Sequence, residues 1–443
     1  SPNPEAPRKV SRRMIALVVV AMAVAAGAAY YALTSPKGPL APYPGGGQRL
    51  GEDTPFPDRI ATIRTNLDWP DRAPKGRLKR ETLERSLELG TSFLLANQKP
   101  EGNFNYQYDF VEKTFDNDDN QVRQAGALWG IALIYRDRPS DALAAGLKKG
   151  FGFFFSVTRT TDDGRAYIAY PKESSCDTGT VALVSMAIIE TLRSPAMTDA
   201  AERAALTDRL NAYLKFLVGQ QRDDGRFSRS FNLITKMRSR STSPYFDGEA
   251  LLALTKAARY AGRDDLWPAI EKAACSTAEY YTVRAWAKDR DSDDTKGFYQ
   301  WGSMAYREYV DADRPNAKTL EDTTLALAWW MTHTHRTLGR ARNTSYAYEG
   351  LVSAYALAKR AGDDAAKRDI GYVIDKGLYD ITAWQVEGPL VTKNRFLSAH
   401  RTKDSLAVGG VMNHRSEPPL RIDVTQHQMH AVLLALADFE FAP

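Results

Sequence analysis

Residues 81–136 read ETLERSLELGTSFLLANQKPEGNFNYQYDFVEKTFDNDDNQVRQAGALWGIALIYR. Within residues 81–98, Leu83, Leu87, Phe93 and Leu94 fall on one stripe of a 3.6-residue period, which predicts an amphipathic helix. A polar loop with Gly102 and Asn103 follows, and residues 121–136 then give a second, more apolar helix. The alternation returns along the chain. Residues 143–157 (LAAGLKKGFGFFFSV) precede a turn at Asp163-Gly164 and then residues 179–192 (GTVALVSMAIIETL). Residues 209–221 (RLNAYLKFLVGQQ) precede Asp224-Gly225 and then residues 245–262 (YFDGEALLALTKAARYAG). Residues 266–286 (LWPAIEKAACSTAEYYTVRAW) precede a long loop and then residues 319–335 (TLEDTTLALAWWMTHTH). Helical patterns over 345–362, 365–384 and 424–439 complete the series.

Like helices recur at roughly 50–60 residues, a period that points to an array or a closed ring of helical hairpins. One helix of each pair is amphipathic and suits an outer layer. The other is apolar nearly all round and suits an inner ring. About six pairs fit into residues 80–443, which predicts an all-α (α/α)6 toroid domain. No two-residue alternation runs long enough for a large sheet. The alternative is an open solenoid, which needs polar caps at both ends; the last helix is as apolar as the middle ones.

Upstream, residues 14–33 read MIALVVVAMAVAAGAAYYAL, twenty residues without a charge. At ~1.5 Å rise per residue they span the hydrocarbon of a bilayer. Arg8, Lys9, Arg12 and Arg13 precede the run, so residues 1–13 form a basic tail on the cytoplasmic side. Tyr30 and Tyr31 suit the far interface. The expectation is a single-pass anchor in the inner (plasma) membrane with the remainder periplasmic. The rival reading is a cleaved signal peptide with Ala26, Gly27 and Ala28 as its cleavage region. Residues 34–79 carry Pro36, Pro39, Pro42, Pro44, Gly45–Gly47, Pro55, Pro57, Pro70 and Pro74. They read as a linker in which no regular element persists.

There are 59 Lys+Arg against 54 Asp+Glu, a net charge of +5, which is too mild to imply nucleic-acid binding. Cys176 and Cys275 are the only cysteines, so a disulfide-stapled fold and a thiolate zinc site are both excluded; a single bridge stays open. No Gly-rich phosphate loop and no G-x-S-x-G elbow occurs. His333/His335 and His427/His430 lack a spaced third ligand, so no metal and no cofactor is expected.

The phrases NQKPEGNF (97–104), TRTTDDGR (158–165) and GQQRDDGRF (219–227) sit between an outer and an inner helix. They resemble the hairpin turns of the six-hairpin (α/α)6-toroid superfamily, which includes glycoside hydrolases, polysaccharide lyases and sugar epimerases. The stretch GGVMNHRSEPPLRIDVTQHQMHAVLL (409–434), with Arg421, Asp423 and His427, is similar to the closing helix of glucuronyl-epimerase-like domains. The resemblance implies a central pocket. It does not extend to the acidic run of terpene cyclases or to the full zinc-ligand set of protein prenyltransferases.

In such a ring, the starts of the inner helices converge on one mouth. Asp118 and Asp119 precede the first, Asp177 opens the second, Asp247 and Glu249 the third, Glu321 and Asp322 the fourth, Glu349 the fifth and Asp423 the sixth. Carboxylates facing each other across a sugar are what glycoside hydrolysis needs. Asp247 or Glu249 is the expected general acid/base, with Asp322 or Asp119 as partner. The competing explanation is that these acids cap helices and suit the helix dipole. Tyr245 and Trp301 could stack on a sugar ring, or simply pack the core. Arg123 and His427 are expected to orient substrate, Arg123 by a bidentate clamp on a carboxylate. His414 fits a lyase or epimerase base, with Glu349, Arg421 and Asp423 completing the binding set. The expected function is a membrane-anchored, glycoside hydrolase-like enzyme acting on an extracellular or capsular polysaccharide or other anionic polymer, with lyase or uronate epimerase chemistry as variants. The alternative is a non-catalytic subunit of a membrane synthase or export complex.

Overall fold

A computed structural model describes residues 54–342 and 344–442. The run at 14–33, its basic flank and the first part of the predicted linker lie outside these residues. Among the described residues, no helix is long and apolar enough to cross a membrane.

Helix α1 (Phe56–Thr65) comes first, and outer–inner pairs follow in chain order. They are α2 (Arg80–Ala96) with α3 (Gln121–Asp137), α4 (Asp141–Ser156) with α5 (Thr178–Arg193), and α6 (Ala200–Gln220) with α7 (Pro244–Tyr260). Then α8 (Trp267–Ala278), prolonged by α9 (Ala285–Lys288), pairs with α10 (Asp293–Asp311), and α11 (Ala317–Trp329) pairs with α12 (Ser345–Ala361). Last, α13 (Asp364–Thr382) pairs, beyond the short α14 (Arg395–Ala399), with α15 (Ile422–Asp438). The inner helices pack in sequence: α3 on α5, α5 on α7, α7 on α10, α10 on α12, α12 on α15, and α15 back on α3. The ring is closed, and the chain is an (α/α)6 toroid.

Inner-to-outer connections are short. Outer-to-inner connections are mostly long, and all lie at the N-terminal ends of the inner helices, where they build the mouth. They carry the short strands β1 (Gln107–Asp109), β2 (Thr114–Phe115), β3 (Thr158–Thr160), β4 (Ala166–Ile168), β5 (Ser175–Asp177), β6 (Ser230–Asn232), β7 (Met412–His414) and β8 (Glu417–Arg421). A sheet in the order β2-β1-β8-β7 stitches the first mouth loop to the last, and β5 pairs with β6 to tie the second to the third.

Two of the quoted turn phrases share one device. Gln98 Nε2 donates to the Gly102 and Gly146 carbonyls at 3.0 and 2.9 Å. Gln221 Nε2 donates likewise to the Gly225 and Ala269 carbonyls at 3.1 and 2.8 Å. Each glutamine thus ties its turn to the next outer helix. Gly102 and Gly225 have φ of 105° and 88°, and a Cβ on Gly102 would meet the Lys149 carbonyl oxygen at 2.1 Å, so glycine is required there.

Two expectations change. The described part of the linker is not free of regular structure. Residues 56–65 form α1, which buries Ile60 and Ile63 against α11 and pairs Arg59 with Glu279 at 2.9 Å. Pro55 and Pro57 flank its start, where a missing N–H costs nothing. Farther on, the Lys75 and Leu78 amides donate to Asp375 at 2.7 and 2.8 Å, so this stretch is docked on α13. The fourth inner helix is also not residues 319–335. It is α10, which holds Tyr299, Trp301, Tyr306 and Tyr309, whereas α11 belongs to the outer layer. Cys176 and Cys275 are both free thiols.

Candidate active site

A cavity of about 440 Å³ opens at the mouth, among the leading turns of α3, α5, α7, α10, α12 and α15. Asp177, Glu249, Arg123, Arg421, Asp423, His427, Tyr245 and Trp301 all line it.

Glu249 sits on the second turn of α7 and is 2 % exposed. Its Oε2 has no hydrogen-bond partner among the described residues. A Cβ built on Gly179 of α5 would lie 2.0 Å from that oxygen, so the carboxyl rests against the first turn of the neighbouring inner helix in space that only glycine leaves open. Burial, and then the charge of Asp177, push the Glu249 carboxyl well above the usual range. A buried carboxyl with no cation to neutralise it holds its proton. Asp177 is the residue before α5 and ends β5. Its side chain caps nothing, so the capping explanation fails at this position. Burial, only partly offset by Arg229, raises its carboxyl to about 6. The two acids are therefore separated in titration, with Glu249 the protonated and Asp177 the ionised partner near neutrality.

The opposite wall is held by charge. Arg421 grips Asp423 through two bonds of 2.9 and 2.6 Å, and Arg123 Nε adds a third contact at 3.3 Å. Burial alone would raise Asp423, but the two arginines hold it below the usual carboxylate range. Asp423 is thus a locked anion that orients two guanidiniums at the cavity. Arg229 and Lys296 also line it, so four cations face two ionised carboxylates. Below this wall, the Glu349 oxygens accept from His427 Nδ1 at 2.9 Å and His430 Nδ1 at 2.7 Å. Burial lowers both imidazoles; Glu349 and Asp423 reverse this for His427, which is raised, while His430 stays lowered. His427 lines the cavity with the Trp301 ring edge-on at 5.9 Å, and His430 lies behind it against Trp129.

The other predicted residues lie elsewhere. Asp247 accepts from the Phe227 amide at 2.7 Å and from the Tyr281 hydroxyl, is fully buried, and does not line the cavity. Its counterpart in the first repeat is Gln124, which accepts from the Phe104 amide at 2.7 Å across the same twenty-residue separation. Asp247 therefore holds a turn in place. Asp119 accepts from Tyr170 at 2.7 Å and Gln124 at 2.8 Å and is outside the cavity. Asp322 starts an outer helix, so it lies at the closed end, where it binds Lys318 at 2.6 Å. His414 pairs with Glu417 at 3.4 Å in the β7–β8 hairpin, away from the cavity. Glu349 is buried behind His427 and touches no cavity space. Sequence reasoning did not single out Lys296, Gln300, Arg229 and Tyr346 as cavity residues. Lys296 and Gln300 are spaced i, i+4 on α10 beside Trp301, a pattern visible once that segment is read as a helix. Among the described residues, no three His, Cys, Asp or Glu side chains converge in a metal-holding group.

No protein-family model matches the chain, and no curated protein matches it. Solved structures do. A sugar epimerase from a ruminal bacterium superposes with a TM-score of 0.59 at 11% identity, covering 82% of this chain and 100% of the other. A D-mannose isomerase gives 0.58 at 11% identity, covering 82% and 99%. An unsaturated glucuronyl hydrolase specific for heparin gives 0.52 at 10% identity, covering 82% and 99%. These likenesses establish the toroid fold.

Proposed function

We propose that this chain hydrolyses glycosidic bonds in a uronate-bearing polysaccharide, with Glu249 as proton donor and Asp177 as the ionised carboxylate, and that residues 14–33 hold it on a bilayer. The observation that carries the proposal is the buried, unpartnered carboxyl oxygen of Glu249, a residue that lines the cavity together with Asp177. A protonated acid beside an ionised one is the pair that both inverting and retaining hydrolysis require. Glu249 would protonate the departing glycosidic oxygen, and Asp177 would either activate water or attack the anomeric carbon. Trp301 and Tyr245 offer faces for the sugar C–H surface. Arg123 and Arg421, pre-oriented by Asp423, suit a substrate carboxylate. Solved structures of this fold include a glucuronyl hydrolase and sugar epimerases, which supports a carbohydrate substrate.

A second reading rests on His427. Its Nδ1 bond to Glu349 leaves Nε2 for a substrate proton, which suits epimerisation beside a carboxylate.

The full chain incubated with polyuronates and with neutral glucans should release new reducing ends from the former alone. The rate should rise through about pH 6 as Asp177 ionises, and fall only above the raised pKa of Glu249. Absence of reducing ends from every polyuronate tried would count against hydrolysis.

Gly179→Ala tests the packing of the acid. The added methyl would lie 2.0 Å from Glu249 Oε2 and 2.6 Å from the Phe246 ring. The carboxyl must move, and kcat/KM should drop by about 10²-fold, the scale of a catalytic group displaced by about 1 Å. Gly152→Ala, which meets nothing within 4 Å, is the control and should leave kcat/KM unchanged. Equal activity in the two variants would remove Glu249 from its assigned role.

A further inference from the structure

A second hollow of about 450 Å³ lies on the mouth face, between the start of α12, the end of α13 and the loops around α14 and the β7–β8 turn. Four cations line it, Arg340, Lys393, Arg395 and Arg415, of which the last three lie around α14 and in the β7–β8 turn. Lys393, Arg395 and Arg415 are exposed, and none of the three makes an ion pair among the described residues. The other charges there are already matched: Arg340 binds Asp291, and Asp380 binds Lys376. Tyr379, Trp384 and Phe396 also line the hollow and are partly exposed. Asn394 Nδ2 donates to the Arg415 carbonyl at 3.0 Å, so the two cation-bearing loops are tied to each other.

Unmatched cations beside aromatic faces form a site for an acidic sugar: the carboxylate takes the cations and the ring C–H surface takes the aromatics. The hollow and the active-site cavity flank the same helix start, since Tyr346 lines one and Thr344 and Tyr348 the other. Strand β8 links them: Ser416, the residue before it, lines the hollow, and Arg421 at its end lines the cavity. Five steps of a strand at ~3.3 Å cover roughly 17 Å, a span of a few sugar units. We infer that this hollow is a second, non-catalytic binding site for an anionic polysaccharide, engaging the chain some sugars away from the bond that is cut. The inference shares with the proposed function only the acidic-glycan ligand, and its test reads binding without turnover.

The test uses the full chain carrying Glu249→Gln and measures retardation by polygalacturonate in affinity electrophoresis, with dextran as the neutral control. Adding Lys393→Ala, Arg395→Ala and Arg415→Ala should raise the apparent Kd for polygalacturonate at least fivefold. Adding Lys148→Ala, Lys149→Ala and Lys272→Ala removes the same charge from outer helices and should leave it unchanged. Equal retardation of the two triple variants overturns the assignment. So does groove-dependent binding to phosphatidylglycerol vesicles with unchanged binding to the glycan. Groove-dependent retardation together with no cleavage of any polyuronate by the parent chain refutes the hydrolase reading alone, whereas cleavage by the parent chain with equal retardation of the two triple variants refutes the groove alone.

Discussion

Glu249→Gln should lower kcat/KM on a polyuronate by about 10²–10⁴-fold, the span that a positioned general acid contributes. Glutamine keeps the shape of the side chain and its buried environment but has no proton to give. The loss should be smaller on an aryl glycoside whose leaving group departs without protonation, whereas Asp177→Asn should impair both substrates. Stability provides an independent readout. Glu249 has a raised carboxyl in the fold, so its contribution is full below the ordinary carboxylate pKa and is lost as pH rises through the raised value. The Gln variant carries no such titration and should be relatively more stable than the parent at alkaline pH. Urea unfolding at pH 5 and pH 9 checks this; equal alkaline losses in the two proteins would place the Glu249 carboxyl in the ordinary range.

Glu190→Ala should be the most destabilising single change, at about 3–5 kcal/mol. Glu190 is fully buried where the inner helices end, opposite the mouth. It binds Lys256 at 2.7 Å and both Arg136 and Arg193 at 2.8 Å, joining α7, α3 and α5. Lys256 also reaches Glu308 of α10 at 2.8 Å. Four of the six inner helices thus meet through one charge cluster. Removing Glu190 leaves Lys256, which is 6 % exposed, with Glu308 alone to balance it. Burial by itself would raise Glu190, but Lys256, Arg136 and Arg193 outweigh it and hold it far below the usual range. The sign follows: this stability is present above the ordinary glutamate pKa and is lost as pH falls. Acid unfolding of the parent should therefore be steeper than that of Glu190→Gln. Glu190→Met combined with Lys256→Met should recover part of the loss, because it removes both buried charges at once.

Much of the ring was legible in the sequence because the first three hairpins carry their own local signals: a 3.6-residue stripe, a turn glycine and an apolar partner. One misassignment accounts for both departures in the fold. α11 buries Leu320 through Trp329 without a break, which reads as an inner helix. It is apolar on its outer side because α1 covers it there. The overlooked helix at 56–65 therefore made an outer helix look like an inner one. Conversely, α10 buries Tyr299, Gln300, Ser303 and Tyr306, which are not aliphatic, so apolarity alone did not reveal it.

The candidate site was less legible, because an acid at a helix start has several uses. Asp247 holds a turn, Asp423 orients two arginines, and Asp177 and Glu249 are left free for chemistry. Only the first could have been sorted from sequence: Phe104–Gln124 and Phe227–Asp247 share a spacing of twenty residues, which marks Asp247 as the equivalent of a glutamine. That Glu249 lacks a partner depends on which helix lies beside it, and no local pattern encodes that contact.

In the proposed reaction a bond is cut at this cavity under the control of Glu249 and Asp177. The most direct measurement is mass spectrometry of a short oligouronide after reaction with the full chain in water enriched in both ¹⁸O and deuterium. Hydrolysis gives shorter products with one ¹⁸O at the new reducing end and no deuterium on carbon, and Glu249→Gln gives no shorter products. Full-length product that has gained carbon-bound deuterium, dependent on His427 and indifferent to Glu249, would contradict it.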